Sequence, residues 1–162
     1  FCSEMSVREN SCNHISKYSP KSELPTSVGH ISQMKSVVIC SSAKFRSGVH
    51  KFAKDLEKLG VKVYTPPLDS SQEVAFDKLT PIAKKLVANG WTFRHFYKID
   101  KADVVFIYNK GGYAGVAVSV EIGYAVAKGK PIIALEQDLE LAREILYEAK
   151  AKTPKSLIKL LQ

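Results

Sequence analysis

Short apolar strands separated by helical segments constrain the fold of this chain more than any other feature of its sequence. We predict strands at residues 37–40, 103–108 and 130–135, each built around an uninterrupted apolar run. Strands that are apolar without alternation are buried on both faces, which is typical of a parallel sheet with helices on each side. The sequence therefore predicts an α/β fold.

Glycines and capped prolines mark the helices between these strands. The first helix has apolar residues at positions 49, 52, 53, 56 and 59 and ends at Gly60, before a second strand at residues 61–64. Thr80 and Pro81 begin a helix that we expect to end at Gly90, followed by a separate helix over residues 91–101. Another helix runs from the loop after the third strand to residue 128.

The C-terminal part of the chain leaves two interpretations open. Residues 144–147 favour a fifth strand, and the alternative is the end of a helix that begins near Asp138. Thr153 and Pro154 then begin a last helix. With right-handed crossovers, five such strands form a flavodoxin-like three-layer sandwich with a parallel sheet of order 2-1-3-4-5.

Composition separates the chain into two parts. Residues 34–162 form one α/β domain, consistent with a chain of 162 residues that is 45% apolar and 25% charged. Residues 1–33 are rich in Ser, Asn, Pro and His and show no periodicity, so we predict that they are disordered. Met34 is a candidate native start, and three interpretations of the preceding segment stay open: a fragment, a leader or translated upstream sequence.

The net charge of +8 arises entirely from residues 35–162, where lysines are scattered along helical faces without a nucleic-acid-binding motif. This pattern indicates a basic surface that favours small phosphate-bearing molecules, with neither nucleic acid nor membrane as a partner. No apolar run reaches the length of a membrane span, residues 1–4 lack the basic-then-apolar order of a secretory signal, and the three cysteines are odd in number. We therefore expect a cytoplasmic protein.

The predicted strand order places the functional site at the carboxyl ends of the first and third strands, where the order reverses. Residues 41–47 and 109–115 form the two loops there, and both enter helix N-termini, which suit anions. In the first loop Ser41, Ser42 and Lys44 supply phosphate-binding groups, although serines here also simply cap helices. Glu121 follows the second loop in the first turn or so of a helix, where the dipole would keep it ionised; a purely dipole-stabilising role is the alternative.

Residues 112–125, with the sequence GYAGVAVSVEIGYA, and the following KGKPI at 128–132 resemble the nucleoside 2-deoxyribosyltransferase family and its nucleotide N-glycosidase relatives. The tripeptides at residues 40–42 and 67–69 and the start of the third strand agree with this resemblance, which covers residues 35–162. It implies that Glu121 is a nucleophile that attacks the anomeric carbon of a nucleoside or nucleoside monophosphate. It also implies a homodimer or higher homo-oligomer, and we identify no cofactor and no metal site.

Further residues complete the candidate site, and some of them depart from the family pattern. His95 is a candidate proton donor, and the substrate-binding candidates are Ser41, Ser42, Lys44, Asp69, Tyr113, Gly115 and Ser119. The chain departs from the family pattern at Val38, where a tyrosine is usual, at Ser41 (glycine), at His95 (aspartate) and near Gly115 (a further acid). His95 has an alternative role as a histidine packed between Trp91 and Ile99.

Two other functions remain open on this sequence. A non-catalytic nucleotide-binding module on the same fold would keep the crevice without the chemistry. A flavin-binding protein is suggested by the fold class alone.

Overall fold

The computed structural model describes residues 36–66 and 75–162, and statements about the structure refer to those residues. Their centre is a parallel sheet in the order β2-β1-β3-β4-β5, which confirms the predicted flavodoxin-like fold. The strands are β1 (Ser36–Cys40), β2 (Lys62–Tyr64), β3 (Val104–Ile107), β4 (Ile132–Ala134) and β5 (Ala149–Lys150). The predicted disordered segment, residues 1–33, lies outside the described residues.

These strands are accompanied by the α-helices α1 (Arg46–Lys58), α2 (Pro81–Lys101), α3 (Val116–Ala127), α4 (Leu141–Glu144) and α5 (Pro154–Leu161). Two predicted N-caps are confirmed. The Thr80 side chain accepts a hydrogen bond from the backbone N–H of Ala83, and Thr153 accepts one from Ser156. Within the described ranges, no helix has the length and apolarity that crossing a bilayer requires.

Both faces of the sheet are covered by apolar clusters. Because alternate residues of a strand point to opposite faces, Ile39 and Phe106 pack against α1 and α5, whereas Val38 and Ile107 pack against α2 and α3. The Phe52 ring of α1 stacks on Phe106 with 4.8 Å between ring centroids. This arrangement places α2 and α3 side by side on the face to which Cys40 contributes.

Two predicted elements are wrong. Gly90 does not end a helix, because α2 continues through it to Lys101 and the glycine lies in open space without a positive φ. Residues 144–147 are not a strand: α4 ends at Glu144, and β5 is the short edge strand at residues 149–150. The N–H groups of Glu148 and Ala151 donate hydrogen bonds to the carbonyls of Ile132 and Ala134 in β4, so this strand is located by pairing.

Candidate active site

Glu121 lies in the second turn of α3, on the edge of the face that packs against the sheet. Val118 and Ile122 are buried on that face, and the Glu121 side chain is only 16% exposed. This position differs from the predicted first-turn position, where the N-terminal amide groups would have dominated the electrostatics. The environment of the carboxylate is therefore set mainly by burial.

Three side chains of different type meet beside this carboxylate. Cys40 is the last residue of β1, His95 lies on the inner face of α2, and Glu121 comes from α3. The His95 Nε2 atom is 3.4 Å from the Cys40 Sγ atom and 3.6 Å from a Glu121 carboxylate oxygen. Cys40 and His95 are both buried, so three elements of the core supply one compact polar cluster, which we call the Cys-His-Glu cluster.

Burial decides the protonation of the Cys-His-Glu cluster. Burial raises the pKa of Glu121 to about 7, and a hydrogen bond with the Cys40 thiol opposes that rise. Burial, followed by the positive charge of Lys98, lowers the pKa of His95 to about 4. The pKa of Cys40 is raised above its ordinary value by burial and then by the charge of Glu121. Near neutral pH the thiol is protonated, the imidazole is neutral and Glu121 is poised between its two forms.

These pKa directions correct one expectation about Glu121. The carboxylate was expected to be held ionised by the helix N-terminus, but its pKa is raised because desolvation penalises the charged form. His95 is packed in the interior of the protein, and its Nε2 atom lies 3.6 Å from the Glu121 carboxylate. The other ring nitrogen of His95, Nδ1, has no hydrogen-bond partner among the described residues.

The two predicted crevice loops lie next to each other, since they follow the paired strands β1 and β3. The Lys44 ammonium group of the first loop lies 3.0 Å from the centroid of the Tyr113 ring of the second. The Ser41 hydroxyl donates to the carbonyl of Tyr108, which also joins the two segments. Ser42 makes no side-chain cap and precedes a short 3-10 turn. The structure thus brings Ser41, Lys44 and Tyr113 together at the carboxyl end of the sheet.

Glycines shape the second loop before it enters α3. Gly111 and Gly112 both have positive φ values, 66° and 72°. A Cβ atom on Gly112 would lie 2.6 Å from the backbone oxygen of Gln137, whereas a Cβ on Gly111 would meet nothing within 4 Å. The buried Asn109 side chain holds the start of this loop by bonding to the backbone N–H and carbonyl of Glu136. Gly115 then forms the N-cap of α3.

Ser119 does not join the Cys-His-Glu cluster. It precedes Glu121 by two residues, which is about 200° around a helix, and its hydroxyl lies 3.2 Å from Nη1 of Arg143. Arg143 also forms a bidentate pair with the buried Asp138. Ser119 therefore belongs to a polar network on the other side of α3. Asp69 lies outside the described residues.

Cys40 is the member of the cluster that sequence reasoning missed. Its position at the end of an apolar strand indicated a small buried hydrophobic residue. The available signal was topological: Cys40 ends the strand at which the sheet order reverses, next to the expected crevice.

Comparisons with known proteins place this geometry in context. No protein-family model matches the chain, and no curated protein sequence matches it. A solved structure does. It is a 2-deoxyribosyltransferase from the psychrotolerant bacterium Bacillus psychrosaccharolyticus, similar over 75% of this chain and 89% of that one, with a TM-score of 0.50 and 15% sequence identity. The similarity is one of fold, and it agrees with the family resemblance read from residues 112–132.

Proposed function

We propose that this protein cleaves or transfers the N-glycosidic bond of a nucleoside or nucleoside monophosphate, with Glu121 as the nucleophile. The observation that carries the proposal is a mostly buried carboxylate with a pKa of about 7, next to the carboxyl end of β1 where the sheet order reverses. A nucleophile needs a lone pair that is available near neutral pH and poorly solvated. The likeness in fold to a 2-deoxyribosyltransferase supports the same chemistry.

The reaction proceeds through two displacements at the anomeric carbon. A Glu121 oxygen forms a bond to C1′ while the bond from C1′ to the base nitrogen breaks, and the electron pair leaves with the base, which takes a proton from water. Water or the nitrogen of a second base then attacks C1′, gives its proton to the hydroxide left by the first step, and releases the carboxylate. Two displacements give net retention of configuration at the sugar.

Cys40 and His95 act on the nucleophile as positioning residues. The Cys40 thiol shares a hydrogen bond with Glu121 that lowers the pKa of the carboxyl group, against the effect of burial. His95, with its pKa near 4, is neutral at pH 7 and contacts the carboxylate without adding a charge. Because the imidazole is neutral, we assign it to holding Glu121 in place and not to protonating the leaving base.

The loops around Lys44 provide the substrate-binding surface in this proposal. Lys44 is exposed, and its ammonium group lies over the rings of Phe45 and Tyr113. Among the described residues, no carboxylate pairs with it. A phosphate oxygen would compete well for that ammonium group, because an anion pairs with a cation more strongly than an aromatic face does. Tyr113, 41% exposed, offers a ring against which a base can stack.

The test is incubation of the purified protein with a panel of deoxynucleosides and their 5′-monophosphates, with and without a second free base. Chromatography of the products measures free base and any newly formed nucleoside. We expect the unaltered protein to release base and the Glu121→Gln variant not to. This substitution keeps the size of the side chain but replaces the nucleophilic carboxylate by a neutral amide. Glu57→Gln, an exposed position on α1, is the matched control and should retain full turnover.

Two results would contradict the proposal. Turnover by Glu121→Gln equal to that of the Glu57→Gln control would remove Glu121 from the mechanism. Tight nucleotide binding in calorimetry, without base release across the whole panel, would instead support the non-catalytic nucleotide-binding module.

We also propose that the protein self-associates through α2. Four large apolar side chains of this helix are more than 60% exposed and recur at intervals of four, seven and four residues, which places them on one stripe: Ile82, Leu86, Phe93 and Tyr97. A stripe of this kind is self-complementary and suits a second copy of the same chain. Light scattering coupled to gel filtration should give an oligomer that Phe93→Glu dissociates, and a monomeric unaltered protein would refute the assignment.

A further inference from the structure

The arrangement of the Cys-His-Glu cluster differs from that of a proton relay. In a nucleophile, histidine and acid triad, the acid contacts one imidazole nitrogen and the nucleophile contacts the other. Here the Cys40 thiol and the Glu121 carboxylate both lie next to Nε2 of His95, and Nδ1 has no partner among the described residues. Three potential donor atoms thus converge on one point instead of forming a chain.

Two of the distances between these donor atoms fit a single tetrahedral ion. Bonds of about 2.3 Å from zinc to sulfur and about 2.1 Å to nitrogen or oxygen separate the ligand atoms by roughly 3.4–3.6 Å. The Sγ to Nε2 distance is 3.4 Å, the Nε2 to Oε1 distance is 3.6 Å, and all three atoms lie within 4.8 Å of one another. The Cys40 Sγ atom and the Glu121 oxygen lie within 4.8 Å of each other, so movement of the Glu121 side chain towards Cys40 would complete the geometry.

The chemistry of the donors selects the ion. A thiolate and an imidazole are ligands for zinc and similar borderline metals, whereas magnesium and calcium prefer oxygen donors alone. The thiolate and carboxylate together carry two negative charges, and a divalent cation would neutralise them in a region where Cys40 and His95 are almost fully buried. Three protein ligands leave one position for water or another small ligand.

We propose that Cys40, His95 and Glu121 bind a zinc ion. The ion is exchangeable and not structural, because Nδ1 of His95 has no acceptor among the described residues and the loss of such an outer partner weakens metal sites by about 10–100-fold. The protein therefore stays folded when a chelator removes the metal. A further consequence, which rests on the proposed function, is that zinc occupies the Glu121 lone pair and blocks attack on the sugar.

Cobalt(II) provides a direct spectroscopic test on the full chain. A Cys2→Ser, Cys12→Ser background leaves Cys40 as the only thiol of the three cysteines. After chelator treatment and dialysis, titration with cobalt(II) should produce a thiolate-to-cobalt charge-transfer band and the intense visible bands of tetrahedral cobalt. Both should saturate at about one ion per chain, and zinc should abolish them.

Variants of the three ligands distinguish this site from adventitious binding. Cys40→Ser in the same background should lose the charge-transfer band, and His95→Ala and Glu121→Gln should weaken cobalt binding by more than about tenfold. His50→Ala, an exposed histidine on α1, is the matched control and should bind as the background does. Circular dichroism verifies that each variant is folded.

The proposal is overturned if only the weak bands of octahedral cobalt appear, or if the charge-transfer band survives in Cys40→Ser. These measurements contain no substrate. A protein that binds cobalt through Cys40 but releases no base refutes the proposed enzymatic function alone, and one that releases base without this spectrum refutes the metal site alone.

Discussion

Glu121→Gln and His95→Asn should change the pH dependence of folding stability in opposite directions: the free energy of unfolding should rise with pH in the first variant and fall with pH in the second. In the metal-free protein, Glu121 has a pKa of about 7 against its usual 4.5, and His95 has a pKa of about 4 against its usual 6.5. Between pH 4.5 and 6.5 the two residues together hold one proton, both in the folded and in the unfolded protein. That proton is on Glu121 in the folded protein and on His95 in the unfolded chain. Unfolding then exchanges no net proton, so the pair contributes little pH dependence.

Each substitution exposes the contribution of the other residue. In Glu121→Gln only His95 titrates, and the unfolded chain binds an extra proton below pH 6.5, so the free energy of unfolding falls as the pH falls towards 4. In His95→Asn only Glu121 titrates, and the folded state retains a proton that the unfolded chain releases above pH 4.5. The free energy of unfolding of this variant therefore falls as the pH rises towards 7. A shift of about 2.5 pH units corresponds to about 3 kcal/mol in each case.

The rest of the cluster does not disturb this comparison. The Cys40 thiol stays protonated throughout this range because its pKa is raised, and Lys98 stays charged. Burial is the first cause of both shifts, so each persists when the other residue is replaced.

The assay is urea unfolding at half-unit steps from pH 4.5 to 7 in the presence of a chelator, followed by circular dichroism. Subtracting the two curves removes the pH dependence of all other groups, and we expect the difference to change by several kcal/mol across the range. Parallel curves for the two variants would refute the burial-driven pKa shifts on which the reasoning depends.

Two further outcomes test the site and its supporting loop. Cys40→Ala should move the acid limb of the kcat/KM profile to higher pH, because it removes a hydrogen bond that lowers the pKa of Glu121; an unchanged limb would show that the thiol does not act on the carboxylate. Gly112→Ala should destabilise the protein by more than Gly111→Ala, which we expect to cost about 1–2 kcal/mol for its left-handed backbone alone. Gly112 adds a clash with the neighbouring backbone, and equal unfolding midpoints in urea would contradict this.

Local signals predicted the parts of the fold that depend on local chemistry. Apolar strand runs and the Thr80 and Thr153 caps were sufficient to place β1, β3, β4 and the starts of α2 and α5. Gly90 misled the prediction because glycine lowers the stability of a helix interior by only about 1 kcal/mol, which a helix of 21 residues tolerates. The strand β5 has two residues and is located by its pairing with β4, so no periodicity could reveal it.

The candidate site was predictable in part. The family resemblance pointed to Glu121, the chemistry of imidazole pointed to His95, and topology placed the two loops beside each other at the carboxyl ends of β1 and β3. The protonation of Glu121 was not predictable, since it depends on how deeply α3 packs against α2 and β1 and not on its position in the helix. The role of Cys40 was hidden for the same reason: 55 residues separate it from His95, and only the folded chain brings their side chains together.

Nucleophilic attack and metal binding require the same lone pair of Glu121, so the two proposals constrain each other. Zinc coordinated by this carboxylate would withdraw the charge that attacks C1′, and base release should fall as zinc fills the site. The zinc dissociation constant from inhibition of base release at low substrate should match the one from cobalt displacement, once the latter is corrected for the cobalt concentration and affinity, and chelator should restore activity. Full activity at saturating zinc would show that the ion and the sugar do not both use Glu121. The cobalt spectrum of Glu121→Gln would then show whether Glu121 is a metal ligand.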